Sequence, residues 1–349
     1  MLDTMKLTLQ DLNIKEGASL LISGGETDFQ TGEIRETLLF KDSKGKEAFG
    51  AKAYLNTEKL NLTIKPIAGQ VRAFVSFSAP KRFTDDNYYP IRSEQLPQVF
   101  ESVEGELLEN GIETRINKAK LSRVDTFRNI LTDEETQCYA RLFGLLEANR
   151  AKDKSTHGAT TWLMRNDSTE YCIYDKLEEL RNSGHITEGL PKTLRFEHRC
   201  KDTAKVKGFF KMNETSVEEL KRYGFNAILD RTIKAWNENF FKYDIAQIET
   251  LVESQIRNEL LYFQATFGKV FFSKYLKAYG AYYLASSSGG IEIVKKALQN
   301  MESNRKKVYR AEKELKEALL LVESLRNDST SPKTLGELYS ELKYKMECV

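Results

Sequence analysis

The sequence predicts an α+β protein, with a sheet-based part over residues 1–212 followed by a mostly α-helical part over residues 213–349. Three observations carry this. Short alternating or apolar runs separated by turn residues fill the first 80 positions. A helix-period stretch and further strands follow to about residue 212, and helical periodicity dominates beyond it. With 349 residues, of which 40% are hydrophobic, the chain has material for two or three domains and for packed cores, which excludes global disorder.

In chain order, ASLLISGGE, IRETLLFKD, AFGAKAYL, KLNLTIK and VRAFVSFSAP read as strands, with SGGE, DSKGKE and NTEK as the turns between them. Such neighbours pair as hairpins, so the expected sheet is antiparallel. SEQLPQVFESVEGELLENGI has helical spacing and stops at Gly111, a C-cap residue. KAKLSRVDTFRNI returns to strand, and a helix is expected from about Asp133 to Asn149, opening with the acids of TDEE. Residues 150–160 read as a polar loop. TTWLMRN and TEYCIYDKLEEL then form a hairpin whose second strand runs into a helix, and KTLRFEHRCK is a further strand. From about Asn213 helices dominate, with a surface loop at RNDSTSPKT before a last short helix.

No run approaches the ~18 consecutive apolar residues of a spanning helix, and the N-terminal stretch lacks the apolar core of a signal peptide. No membrane partner is expected. The four cysteines form no CxxC pair, which argues against a disulfide framework or structural zinc and fits a reducing cytoplasm. Net charge is only +2, yet residues 192–211 carry seven Lys or Arg against two acids and residues 269–311 carry nine against two. Local basic stretches on a balanced chain suit contact with nucleic acid on selected faces, and they also describe solvated lysine-rich helices.

Three short strands carry charge at every second position. Alternation puts Arg123 and Asp125 on one face of LSRVD, and Arg195, Glu197 and Arg199 on one face of LRFEHR. In YCIYDK it puts Cys172, Tyr174 and Lys176 together and turns Tyr171 the other way. Were these strands neighbours, two carboxylates, a tyrosine, a lysine and several arginines would share one surface. Paired carboxylates hold a hard cation such as Mg²⁺ or Mn²⁺. Cationic groups stabilise phosphate charge, and a tyrosine there can attack phosphorus. On spacing alone the same alternation also describes an amphipathic sheet with a solvated salt-bridge face.

These residues resemble those of the filamentous-phage replication initiators, the gene II protein family of rolling-circle nickases. The resemblance rests on SRVD at 122–125, the Y-x-K strand at 174–176 with Glu178 and Glu179 after it, and LRFEHR at 194–199, in that order. It extends to SAPKRF at 78–83 and to the aromatic, glycine and basic stretch over 275–314, and so covers about two thirds of the chain in patches. Staphylococcal rolling-circle plasmid initiators look like more distant relatives.

The resemblance implies an antiparallel-sheet endonuclease core that nicks one strand of a double-stranded replication origin. It further implies a phosphotyrosine intermediate, religation after a round of displacement, and release of single-stranded DNA. Host helicase and polymerase would be the partners, in the bacterial cytoplasm. Carried over by residue, Tyr174 is the nucleophile, Asp125 and Glu197 hold Mg²⁺ or Mn²⁺, and Lys176 and Arg195 contact phosphate, with Arg123 and Arg199 on the same face. In the helical part, Arg305, Lys306, Lys307 and Arg310 follow a Gly289-Gly290 break and are expected to contact DNA as a helix-turn-helix-like face.

The chain departs from many rolling-circle initiators in lacking a His-hydrophobic-His pair. Its histidines are His157, His185 and His198. His198 is expected to be buried, and His157 to lie in a polar loop near the site. VRAFVSFSAP also lacks an acid that would complete a three-carboxylate set. The alternatives to a nickase are a non-cleaving origin-binding or repressor protein on a related fold, and a structural or interaction protein with basic patches.

Overall fold

Ten strands make one antiparallel sheet in a computed structural model that describes residues 1–15, 52–67, 70–158, 160–251 and 333–348. Positions 18, 20–23, 26–27, 34–35, 309–310, 312–313 and 316 are described as well. From edge to edge the sheet runs β11 (Asp153–His157), β12 (Thr161–Arg165), β13 (Thr169–Asp175), β14 (Thr193–Cys200) and β10 (Lys120–Leu131). It continues through β1 (Leu2–Leu9), β8 (Gln70–Ser78), β7 (Leu60–Ile67), β6 (Lys52–Asn56) and β3 (Leu21–Ser23). Two small ladders stand outside it, β2 (Leu12–Ile14) on β9 (Ile112–Thr114) and β4 (Glu26–Thr27) on β5 (Ile34–Arg35). The expected antiparallel sheet is therefore present, and it is larger than any one hairpin series in the sequence suggested.

β1 ties the two halves together, pairing with β10 on one side and β8 on the other. Its LDTMKLTL alternates buried and half-buried positions, the signature of a strand with one packed face. Helices cover that packed face in two clusters. In the first, Met5, Val75, Phe77 and Val124 meet Val99, Phe100 and Val103 of α1 (Gln95–Glu109). In the second, Ile173, Leu194 and Phe196 meet Phe143 of α2 (Ala140–Leu145), Trp236 and Phe240 around α6 (Phe225–Asn239), and Leu338 and Leu342 of α7 (Leu335–Glu347). Trp236 is fully buried edge-on to Phe196, and truncating such a residue to Ala costs about 3–5 kcal/mol. The short helices α3 (Lys176–Asn182), α4 (Thr203–Phe210) and α5 (Val217–Tyr223) lie between α2 and α6 in the chain. α4 and α5 add Val206, Phe210 and Leu220 to the first cluster, so helices from residue 213 onward share the cores of the sheet.

Two expected elements differ. The helix read over 133–149 is only a 3-10 turn at Thr136–Tyr139 followed by α2. The acids meant for its first turn pair with lysines instead: Asp133 binds Lys333 and Lys345, and Glu135 binds Lys192. The loop read over 150–160 contains edge strand β11, whose residues are half-buried or exposed and so show no apolar alternation. Gly111 does end α1, at φ +79°. Among the described residues no helix is long and apolar enough to cross a membrane.

Candidate active site

The face of the sheet away from the helices gathers the charged residues of three adjacent strands. Register puts Asp125 opposite Arg199, Phe127 opposite Glu197 and Asn129 opposite Arg195 across β10 and β14. Across β14 and β13, Arg199 faces Glu170, Glu197 faces Cys172 and Arg195 faces Tyr174. A two-residue period with one buried helix-side face leaves these side chains no other surface. Arg123, Asp125, Tyr174, Glu197 and Arg199 line a cleft of ≈ 570 Å³, which Asp3 of β1 and Glu178 and Glu179 of α3 also border.

Asp125 and Glu197 are each held by an arginine. Arg123 donates to Asp125 through Nε at 2.8 Å and Nη2 at 2.6 Å. Arg199 donates to Glu197 Oε2 through Nε at 2.8 Å and Nη2 at 2.5 Å, and its Nη1 pairs with Glu170. Glu197 Oε1 accepts the hydroxyl of Tyr174. Asp125 is 2% exposed, and its pKa is pushed up to about 6: burial raises it, the Arg123 hydrogen bonds oppose this, and the nearby Glu197 charge adds to the rise. Burial, with Glu197 beside it, holds the Tyr174 phenol well above its ordinary value, so at neutral pH it carries its proton.

Tyr171 takes the opposite face, as expected. It packs in the second core against His198 and Trp236. His198 is likewise buried, between Tyr171 and Phe209, and burial lowers its pKa to about 3. His157 sits exposed on β11 and does not border the cleft. Asp175 caps α3, accepting from Glu178 N at 2.9 Å and from Thr136 Oγ1 at 2.6 Å.

Lys176 and Arg195 differ from expectation. Strand β13 ends at Asp175, so Lys176 opens a helix and its side chain turns inward, fully buried, to Asn87 Oδ1 at 2.5 Å and to Glu179. Burial and the neighbouring Arg195 lower its pKa, against the pull of Glu179. Arg195 is also fully buried, lies 4.0 Å over the Phe127 ring, and donates to Asn129 Oδ1 at 2.8 Å and to the Asn87 and Tyr88 carbonyls. Neither lines the cleft, because internal acceptors already hold both cations beneath it. Direct phosphate contact is accordingly not their role in this conformation.

Two residues unseen in the sequence organise this layer. Asp3 lies 3.7 Å from Arg195 Nη1 and accepts from Ser78 Oγ at 3.0 Å and Asn87 Nδ2 at 3.1 Å. Burial would raise its pKa, but Arg195, Asn87 and Ser78 outweigh it and hold the carboxyl low. The acid missing from β8 is thus supplied to the cleft by the neighbouring strand. Alternation in LDTMKLTL groups Asp3 with Met5 and Leu7 on the packed face, and the irregularity in the β1–β10 pairing between Leu2 and Met5 falls at Asp3, so neither Asp3 nor Asn87, in an irregular segment, had a local signal.

Arg305, Lys306 and Lys307 lie outside the described residues, as does the Gly289-Gly290 break. Arg310 is exposed on a helical segment beside Tyr309.

Asp125 and Glu197 supply the hard oxygen donors that Mg²⁺ or Mn²⁺ takes, and in this structure both carboxylates are engaged by Arg123 and Arg199. Among the described residues no three His, Cys, Asp or Glu side chains are grouped as a ready-made metal cage. No protein-family model matches the chain, and no curated protein matches it.

Proposed function

We propose that this chain is a replication initiator that nicks one strand of a double-stranded origin through a phosphotyrosine intermediate and religates it after rolling-circle replication. The observation that carries the reading is the hydrogen bond from the Tyr174 hydroxyl to Glu197, inside a cleft whose rim holds Asp125, Arg123 and Arg199. A phenol bonded to a carboxylate has a proton acceptor in place for attack, and partly exposed arginines offer the donors that phosphate needs.

In this reading Tyr174 Oη attacks phosphorus while its proton passes to Glu197 Oε1. The P–O3′ bond breaks, and the departing oxygen takes up one proton to become a free 3′-hydroxyl. The 5′ phosphate stays on the tyrosine. A later 3′-hydroxyl reverses the step, so no bond energy is lost between nicking and closure. Arg123 and Arg199 neutralise the phosphate as charge builds on its oxygens. Arg195 and Lys176 set a positive potential from below and fix the β14 and β13 ends that carry Glu197 and Tyr174. A divalent ion on Asp125 and Glu197, when bound, would polarise a non-bridging phosphate oxygen. Double-stranded origin DNA, the single strand displaced from it, and host helicase and polymerase are the corresponding partners, reached in the cytoplasm.

Incubation with supercoiled plasmid carrying candidate origins and Mg²⁺ or Mn²⁺ tests the reading. A nicked product bearing protease-sensitive protein on its 5′ end supports it. Binding without any nicking on every origin tried would turn it toward an origin-binding protein.

A further inference from the structure

Beyond the cleft, the exposed face of the sheet continues over β1, β8, β7 and β6. Cross-strand register lines up Arg123, Lys6, Ser76 and Asn61 in one row, and Thr8, Phe74, Thr63 and Tyr54 in the next. All of these side chains retain solvent exposure. The ammonium groups of Lys6 and Lys65 both stand over the Phe74 ring, at 5.0 Å and 5.6 Å from its centroid. Arg72, directly opposite Lys65, adds a third cation. Across these four strands the sequence holds one acid, Asp3, which is buried at the cleft end. Lys6, Lys65 and Arg72 have no carboxylate partner among the described residues. A solvated face ordinarily mixes charges of both signs and pairs them across strands. This one is cationic with aromatic rings at its centre.

We propose that this face is a track for single-stranded DNA leading into the Tyr174 cleft. These cations match a phosphate backbone, and half-exposed rings offer stacking surfaces that unpaired bases can reach and a duplex cannot. Phosphates draw Lys6 and Lys65 off the ring, which frees Phe74 for a base. Tyr54 stands two strands further on, about 10 Å away at the ordinary strand spacing, and takes a second base. The row through Lys6 ends at Arg123, so the strand bound here continues to the site of attack. The direction of the track rests on the nickase reading; the binding of single strands does not.

The test is fluorescence anisotropy of a labelled oligothymidylate with the full chain in excess chelator, where no cleavage occurs. Phe74→Ala is expected to weaken binding at least about tenfold and Phe74→Trp to preserve it, the latter showing that the fold tolerates change there. Lys6→Gln with Lys65→Gln is expected to flatten the slope of log affinity against log salt by about 1.4. The proposal is overturned if Phe74→Ala binds within twofold of the parent, if the salt slope does not change, or if duplex DNA binds as tightly as oligothymidylate. Because no cleavage is measured, these variants decide the track alone. Tyr174→Phe on supercoiled plasmid decides the nickase reading alone.

Discussion

Tyr174 and Glu197 meet across the β13–β14 ladder without being register partners: Tyr174 faces Arg195 and Glu197 faces Cys172, and the two side chains converge diagonally in one hydrogen bond. Diagonal neighbours on one face lie within reach of aromatic and long side chains. The contact therefore depends on the stagger of the two strands, and Arg199 holds the Glu197 end of it.

Replacing the acceptor tests that contact. Glu197→Gln keeps the shape and removes the carboxylate that would take the phenolic proton. Single-turnover nicking is expected to fall about 10²–10⁴-fold, the usual span for loss of a general base, with oligonucleotide affinity little changed. Unaltered nicking would remove Glu197 from the proton transfer.

A divalent ion on the two carboxylates would make nicking metal-dependent. Nicking is expected to require Mg²⁺ or Mn²⁺ and to stop in excess chelator, and Asp125→Asn is expected to raise the metal concentration for half-maximal rate. Full activity in chelator would contradict a metal role for Asp125 and Glu197.

The buried cation layer makes a stability prediction. Arg195→Met leaves the Asp3 carboxylate buried beside an apolar group and takes the arginine donor from Asn129 Oδ1 and from the Asn87 carbonyl. Breaking one side of such a pair costs about 3–5 kcal/mol in urea unfolding. Adding Asp3→Asn should recover part of that loss, since the unpaired charge goes with it. Strictly additive effects would show that the two groups are not coupled.

His198 gives the acid side of the stability curve a definite sign. Its folded pKa of about 3 lies below the ordinary 6.5, so the unfolded chain binds a proton that the folded chain refuses. Its contribution is complete above pH 6.5 and is lost as pH falls toward 3, at up to about 1.4 kcal/mol per pH unit. His198→Leu should lower that slope by one proton in equilibrium unfolding; an identical slope would show that His198 titrates normally.

Much of the cleft was legible in the sequence because strand alternation is rigid. Once LSRVD, LRFEHR and YCIY are strands, the faces of Asp125, Glu197, Tyr174 and Tyr171 follow, and the structure gives each that face. Lys176 broke the rule because Asp175 caps a helix one residue earlier than alternation assumed. Arg195 has the expected face, but the segment around Asn87 and Tyr88 covers it, a tertiary contact no local pattern records. The same holds for Asp3, whose strand is joined to its partners only by pairing across more than 60 residues. Edge strand β11 escaped notice for the opposite reason: it buries too little to need apolar residues.

Tyr174 is the group that the proposed nickase joins to DNA. Its most direct test compares Tyr174→Phe with Tyr171→Phe on supercoiled origin plasmid, scoring the covalent protein–DNA adduct after denaturation. Tyr171→Phe should form the adduct at the parental level, and Tyr174→Phe should form none while binding single-stranded DNA normally. A Tyr174→Phe protein that still nicks and still carries DNA would contradict the assignment outright.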